Sequence, residues 1–182
     1  MLLPVPDPPL TDGVVTLRPP EESDLSAIER GILDPDVIRW FGQQTLQASE
    51  VLALNRTRWL EGSGATFAIC EPNDDCAGHA WVNLGHDGRG SVGYWLLPVA
   101  RGRGLATRSV RLLSRWALRD LGLARLQLLT EPSNGPSQMV AERSGFHREG
   151  VLRSYADIDD RRVDYVVFSL LPGDPEWRWD RG

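Results

Sequence analysis

The hydrophobic pattern changes period several times along the chain, and each change marks an element. Residues 14–18 alternate as a short strand that Pro19-Pro20 ends. Leu25, Ile28 and Ile32 then recur at helical spacing behind a cap at Glu21 or Ser23, and Asp34-Pro35 breaks that helix. Residues 37–41 read as a short apolar turn or helix. Ser49 starts a second helix, Glu50 to about Leu60, with Val51, Leu54 and Trp59 at helical spacing; Gly62-Ser63-Gly64 closes it. Three strand-like runs come next at 65–70, 78–84 and 91–97, separated by turns at 73–75 and 86–90. They predict an antiparallel meander. A helix over 104–121, a strand over 125–130 and a helix over 134–144, ended by Gly145, continue the chain. Two strands, 146–153 and 163–170, surround an Asp-rich loop.

This order predicts an α/β (α+β) fold: a mixed, mostly antiparallel central sheet of about seven strands flanked by about four helices. At 182 residues the chain is long enough for one domain with a full core. Residues 1–12 read as a Pro-rich flexible lead, and the polar tail from Pro172 carries Trp177 and Trp179, which hint at a contact surface and a homodimer.

Charge and composition narrow the partners. The net charge is −5, whereas nucleic-acid-binding domains are usually basic. All 20 basic side chains are arginine. No apolar run approaches the ~20 residues of a membrane span, and the Pro-broken start lacks the basic region of a signal peptide. Cys70 and Cys76 are too few for a disulfide framework, so a cytoplasmic location with reduced thiols is expected. His79, His86 and His147 do not share metal-ligand spacing with those cysteines, so no metal is expected.

The densest chemistry lies between the third strand of the meander and the long helix, where Arg101-Gly102-Arg103-Gly104-Leu105-Ala106-Thr107 forms a glycine-rich turn. Such a turn lets backbone approach an anion, and the first N–H groups of the helix point at it. A ligand-free tight turn is the plain alternative. A dinucleotide fingerprint wants Gly or Ala where Thr107 stands, and an alternating βαβ chain that the meander denies. A P-loop fails for want of Gly-Lys-Ser/Thr.

Read as Arg101-x-x-Gly104-x-Ala106, the turn resembles the acyl-CoA motif of the GNAT N-acyltransferase superfamily, and the strand order over about residues 13–171 resembles that fold. Gly93-Tyr94-Trp95, Asn134-x-x-Ser137 and Glu142-Arg143-Ser144-Gly145-Phe146 are similar to further family segments. With Gly150-Val151-Leu152-Arg153 and the apolar run from Asp164, they are most similar to the RimJ/RimL-like ribosomal-protein N-terminal acetyltransferase branch.

The resemblance implies acetyl-CoA as co-substrate, with Arg101, Gly102, Arg103, Gly104, Leu105, Ala106 and Thr107 at its pyrophosphate. It implies backbone near Trp95, Leu96 and Leu97 pairing with the pantetheine arm, and Asn134 capping a helix beside the coenzyme. It also implies direct transfer to a primary amine, a protein α-amine first. A small amine (an aminoglycoside or polyamine) and a catalytically silent acyl-CoA sensor remain alternatives. Many family members carry a Tyr acid where Ala141 stands; in the ribosomal branch a Ser at the helix start serves, which here is Ser137. Glu131, just after the fifth strand, is the candidate for a water-linked base, with a solvated loop carboxylate as the plainer reading. Trp40 is expected to wall the acceptor pocket. Tyr155 and Asp157, expected in the loop between the last two strands, are candidates for meeting the acceptor's ammonium.

Overall fold

The computed structural model describes residues 3–175; Trp177 and Trp179 of the tail lie outside them. Eight strands form one sheet: β1 (Leu10–Thr11), β2 (Thr16–Arg18), β3 (Gly64–Cys70), β4 (Cys76–Leu84), β5 (Arg89–Leu96), β6 (Arg125–Thr130), β7 (His147–Ile158) and β8 (Arg161–Leu170), in spatial order β1-β2-β3-β4-β5-β6-β8-β7. Every neighbouring pair is antiparallel except β5 and β6. Among the described residues five α-helices accompany them: α1 (Leu25–Ile32), α2 (Pro35–Phe41), α3 (Ala48–Glu61), α4 (Leu105–Arg119) and α5 (Gly135–Arg143).

The mixed, mostly antiparallel sheet is the predicted one, with one strand and one helix more than expected among the described residues. The extra strand, β1, falls inside the stretch read as a flexible lead: Leu10 and Thr11 pair with Leu17 and Thr16, and the Leu3 N–H donates to the Trp59 carbonyl at 3.4 Å. The extra helix is α2, over the stretch read as a short apolar turn or helix. Asp34-Pro35, which breaks α1, also starts α2, because the Asp34 side chain accepts from the Asp36 and Val37 N–H groups and Pro35 needs no donor there.

The last two strands run further than predicted. They meet at a two-residue turn, Asp159-Asp160, with both residues at positive φ (46° and 62°), as a tight hairpin requires. Asp is among the few residues besides Gly that tolerate this region. Tyr155 and Asp157 therefore sit on β7 and not in a loop, a correction to the sequence reading.

The main core lies on the sheet face that α4 covers. Alternation along the strands sends Leu17, Phe67, Ala80, Val82, Val92, Leu128 and Phe168 to that face, against Val110, Leu113 and Trp116 of α4. Trp59, Phe67 and Trp116 meet there with ring centroids 5.2–5.8 Å apart. The opposite face carries Trp81 and Trp95 under α1 and α2. Gly93 makes room for Trp81, since a Cβ at 93 would lie 2.4 Å from that ring, and Trp81 in turn meets the Phe41 ring of α2 at 5.5 Å.

Gly93→Ala should therefore overpack this layer and cost about 1–3 kcal/mol, a fall in Tm of several degrees on calorimetry. An unchanged Tm would show that Trp81 is free to move aside.

Candidate functional site

The site begins where two parallel strands separate. β5 and β6 are paired from Arg89↔Arg125 to Val92↔Leu128. Beyond that point β5 continues to Leu96 on β4 alone, and β6 continues to Thr130 on β8 alone. The facing edges of Gly93–Leu96 and Leu129–Thr130 thus leave the ladder while still in extended conformation. Their exposed polar groups need partners.

Alternation decides which groups face this gap. The Leu97 N–H donates to the Ala77 carbonyl of β4 at 2.9 Å, so Trp95, two residues earlier, points its amide groups the same way. Tyr94 and Leu96 point theirs into the gap. Of the three backbone positions expected from the sequence, only Leu96 is so oriented; Trp95 and Leu97 serve β4. Even at Leu96 the carbonyl is occupied, by Arg101 Nε at 3.0 Å, and its N–H is the group left to the gap.

The glycine turn closes one end of the gap. Gly102 and Gly104 take φ of +74° and +79°, a region that L side chains rarely adopt. Gly104 is the N-cap of α4 and no side chain caps that helix; its first internal bond runs from the Arg108 N–H to the Gly104 carbonyl. The N–H groups of Leu105, Ala106 and Thr107 precede that bond and point outward. The Leu105 side chain itself is buried in the core.

The side chains of Arg101 and Arg103 do not face the turn's amides. Arg103 forms a two-pronged pair with Glu71, both contacts 2.8 Å. Arg101 reaches across to α2, donating to Asp34 at 2.6 Å and Asp36 at 2.5 Å. Asp34 is 7% exposed. Burial pushes its carboxyl up, but the Arg101 guanidinium and the Val37 amide outweigh that and hold it below the usual range. One carboxylate thus caps α2 and fastens it to the residue that opens the turn.

These elements enclose a cavity of about 340 Å³ lined by Val37, Trp40 and Phe41 of α2, Tyr94 to Leu96 of β5, Gly102 and Ala106 beside the turn, and Asn134, Ser137 and Val140 at α5. Asn134 caps α5 by accepting from the Ser137 N–H at 3.1 Å. Ser137 hydrogen-bonds the Tyr94 phenol, whose pKa burial raises, so the phenol stays protonated. The sequence marks Tyr94 only as part of the Gly93-Tyr94-Trp95 segment and gives it no role; strand parity puts it on the α4 and α5 face next to a Trp that points the other way.

Other candidates stand apart from the cavity. Glu131, at the end of β6, is 9% exposed and turned toward Arg161 at 3.3 Å; Arg161 also donates to the Arg39 carbonyl of α2. Thr107 lines a separate pocket outside the turn. Tyr155 packs on Tyr165 with centroids 5.9 Å apart, and Asp157 pairs with Arg162 at 2.8 Å. Neither lines the cavity. Burial pushes the Cys70 thiol up to about 12 and the Cys76 thiol up to about 11, so both stay protonated at neutral pH and neither lines the cavity. Among the described residues no cluster of His, Cys, Asp and Glu could hold a metal ion, and no helix is long and apolar enough to cross a membrane.

Comparison with known proteins points the same way as the geometry. The acetyltransferase (GNAT) domain family matches residues 15–147. An N-acetyltransferase of Bacillus licheniformis, p20, is 29% identical over 164 residues, which cover 86% of this chain and 92% of p20. A putative ribosomal-protein-serine acetyltransferase from Vibrio cholerae superposes with a TM-score of 0.78 at 23% identity, covering 93% of this chain and 100% of that one. Mycobacterium smegmatis RimJ, solved with CoA-disulfide, superposes with a TM-score of 0.79 at 22% identity, covering 88% and 83%.

Replacing Arg101 by Met should strand the Asp34 carboxylate and cost about 2 kcal/mol. Because the folded Asp34 pKa lies below its unfolded value, near 3.9, the Arg101 contribution is complete above that value. It is lost as pH falls through the folded pKa. Denaturant melts at pH 7 and pH 3 check this: the two proteins should differ at pH 7 and converge on acidification, and a constant difference would place the Arg101 contribution elsewhere.

Proposed function

As a member of the GNAT acetyltransferase family, the chain is an N-acetyltransferase, and we propose that it moves the acetyl group of acetyl-CoA directly onto a protein N-terminal amine. The observation that carries this reading is the gap between β5 and β6, closed at one end by an uncapped helix start. A diphosphate fits the N–H groups of residues 102–107, and an amide-bearing arm fits the open edge of β5. The thioester carbonyl then lies beside Leu96, whose N–H faces the oxygen that gains charge when an amine attacks. The C–S bond breaks, its electron pair stays on sulfur, and Ser137 is the hydroxyl placed to donate to the departing thiolate.

The acceptor follows from how little base the cavity offers. Asp36 is held by Arg101, and Glu131 is held by Arg161 away from the lining. At pH 7.5 an α-amine of pKa about 7.8 is roughly one-third neutral, whereas a lysine of pKa about 10.4 is neutral to about 0.1%. A site without an unengaged carboxylate suits the first. Water carries the proton away, with Glu131 as its distant acceptor. Trp40 walls the acceptor side; Tyr155 and Asp157, tied up on β7, take no part. The Vibrio cholerae neighbour, a putative ribosomal-protein-serine acetyltransferase by name, supports a protein acceptor. A second copy of the chain and a cytoplasmic location accord with this reading.

Two experiments test it. Gly104→Glu places a carboxylate where the phosphates would sit, in space now open; acetyl-CoA binding should vanish in calorimetry for about 1–2 kcal/mol of stability, and an unchanged Kd refutes the site. Ser137→Ala should lower kcat by about 10²-fold or less with acetyl-CoA affinity retained. In free-CoA release assays, peptides with free N-termini should turn over, with kcat/KM rising through about pH 8. Turnover of polyamines or aminoglycosides alone would overturn the acceptor assignment.

A further inference from the structure

A cavity of about 540 Å³ lies between α1 and the start of α3. Leu25, Glu29 and Ile32 line it from α1, recurring at i, i+4 and i+7 on one helix face. Leu33, 63% exposed, and the half-buried Leu46 add to its apolar lining. Glu29 is exposed beside them, and among the described residues no hydrogen bond or ion pair engages its carboxylate. The cavity flanks α2 on both sides in the chain. Leu33 lines it just before α2 begins and Gln44 just after α2 ends, whereas α2 itself sends Val37, Trp40 and Phe41 to the aromatic cavity. Both ends of this partition are tied. Arg101 holds the start through Asp34 and Asp36. At the end, both Asp159 oxygens accept from the Gln43 N–H at 3.1 Å, and Arg161 donates to the Arg39 carbonyl at 3.2 Å. The two cavities are therefore held at a fixed spacing.

That spacing selects which part of an acceptor reaches the second cavity. If the acceptor is a protein N-terminus, as the proposed function has it and as this inference requires, its amine lies beside Leu96 and its chain leaves past Trp40 and Phe41. The seven residues of α2 rise about 10 Å at 1.5 Å each, which an extended chain covers in about three residues. We propose that the cavity between α1 and α3 binds the acceptor protein behind its N-terminus, at about its fourth to sixth residues, and takes an apolar side chain with a cationic neighbour. Leu25, Ile32, Leu33 and Leu46 supply apolar surface that water now covers in part, and covering it with an apolar side chain is favourable. Glu29 supplies the charge opposite to the cation, and a net charge of −5 favours encounter with a basic partner. A small amine ends beside Leu96 and makes neither contact. The cavity thus distinguishes a protein acceptor from a small one without touching the reacting atoms.

The test compares two peptides on the full chain with acetyl-CoA. One is a tripeptide; the other shares its first three residues and carries a leucine and a lysine among the next three. Free-CoA release should give the longer peptide a kcat/KM about tenfold or more above the tripeptide. Leu33→Glu, at an exposed position, should bring that ratio toward one by slowing the longer peptide alone, with tripeptide turnover unchanged. Glu29→Lys should make a peptide with glutamate in place of the lysine the better substrate. Equal kcat/KM for the two peptides in the unaltered protein, or a ratio that survives Leu33→Glu, overturns the second cavity's role and leaves the N-terminal acceptor standing. A dimer that Leu33→Glu converts to a monomer in sedimentation assigns the cavity to a second copy of the chain and also overturns it. Turnover of neither peptide overturns the N-terminal acceptor itself, and this proposal with it.

Discussion

The separation of β5 from β6 is the constraint on which the rest of the structure depends. A sheet saturates its backbone groups by pairing, and an edge left open inside a domain must be matched by something else. Here the two strands stay paired only as far as Val92 and Leu128. β6 then remains with β8 and β5 with β4, each ladder continuing without the other. The result is an internal edge four residues long, bounded by α2 on one face and by α4 and α5 on the other. On the proposed reading, an acyl carrier whose amides mimic a strand would complete the sheet there. On that reading the strand ladders would set the position of the reacting carbonyl, and the loops around it the chemistry.

Arg101 links the two halves of that site. Its guanidinium binds the Leu96 carbonyl at the end of β5 and the Asp34 and Asp36 carboxylates of α2. The residue that opens the glycine turn therefore also fixes the helix carrying Trp40 and Phe41. Arg161 makes a second, weaker link from Glu131 to the same helix. Two arginines that sequence spacing would assign to an anion or to solvent are instead cross-ties from the ends of β5 and β6 to α2.

Much of this was legible in the sequence for local reasons. The meander, α4, β6 and α5 declare themselves through periodicity and glycine stops, and the turn through glycines whose positive φ few other residues supply. The misreadings have equally physical causes. Asp34-Pro35 reads as a breaker, yet the same pair starts a helix once the Asp side chain caps the turn after it. Asp159-Asp160 reads as a loop because a tight hairpin is usually marked by Gly or Asn. The partners of Arg101 and Arg103 lie 30 or more residues away in sequence, and ion pairs at such separation leave no pattern. The facing of Tyr94 and Leu96, against Trp95 and Leu97, depends on strand parity relative to β4, which a single segment does not reveal.

A crystal structure of the protein with acetyl-CoA tests the role of the gap most directly. The diphosphate should lie on the backbone N–H groups of residues 102–107, the pantetheine arm along Tyr94 and Leu96 between β5 and β6, and the thioester oxygen within hydrogen-bond reach of the Leu96 N–H. A thioester bound outside that gap, with β5 and β6 drawn together along their full length, would contradict it.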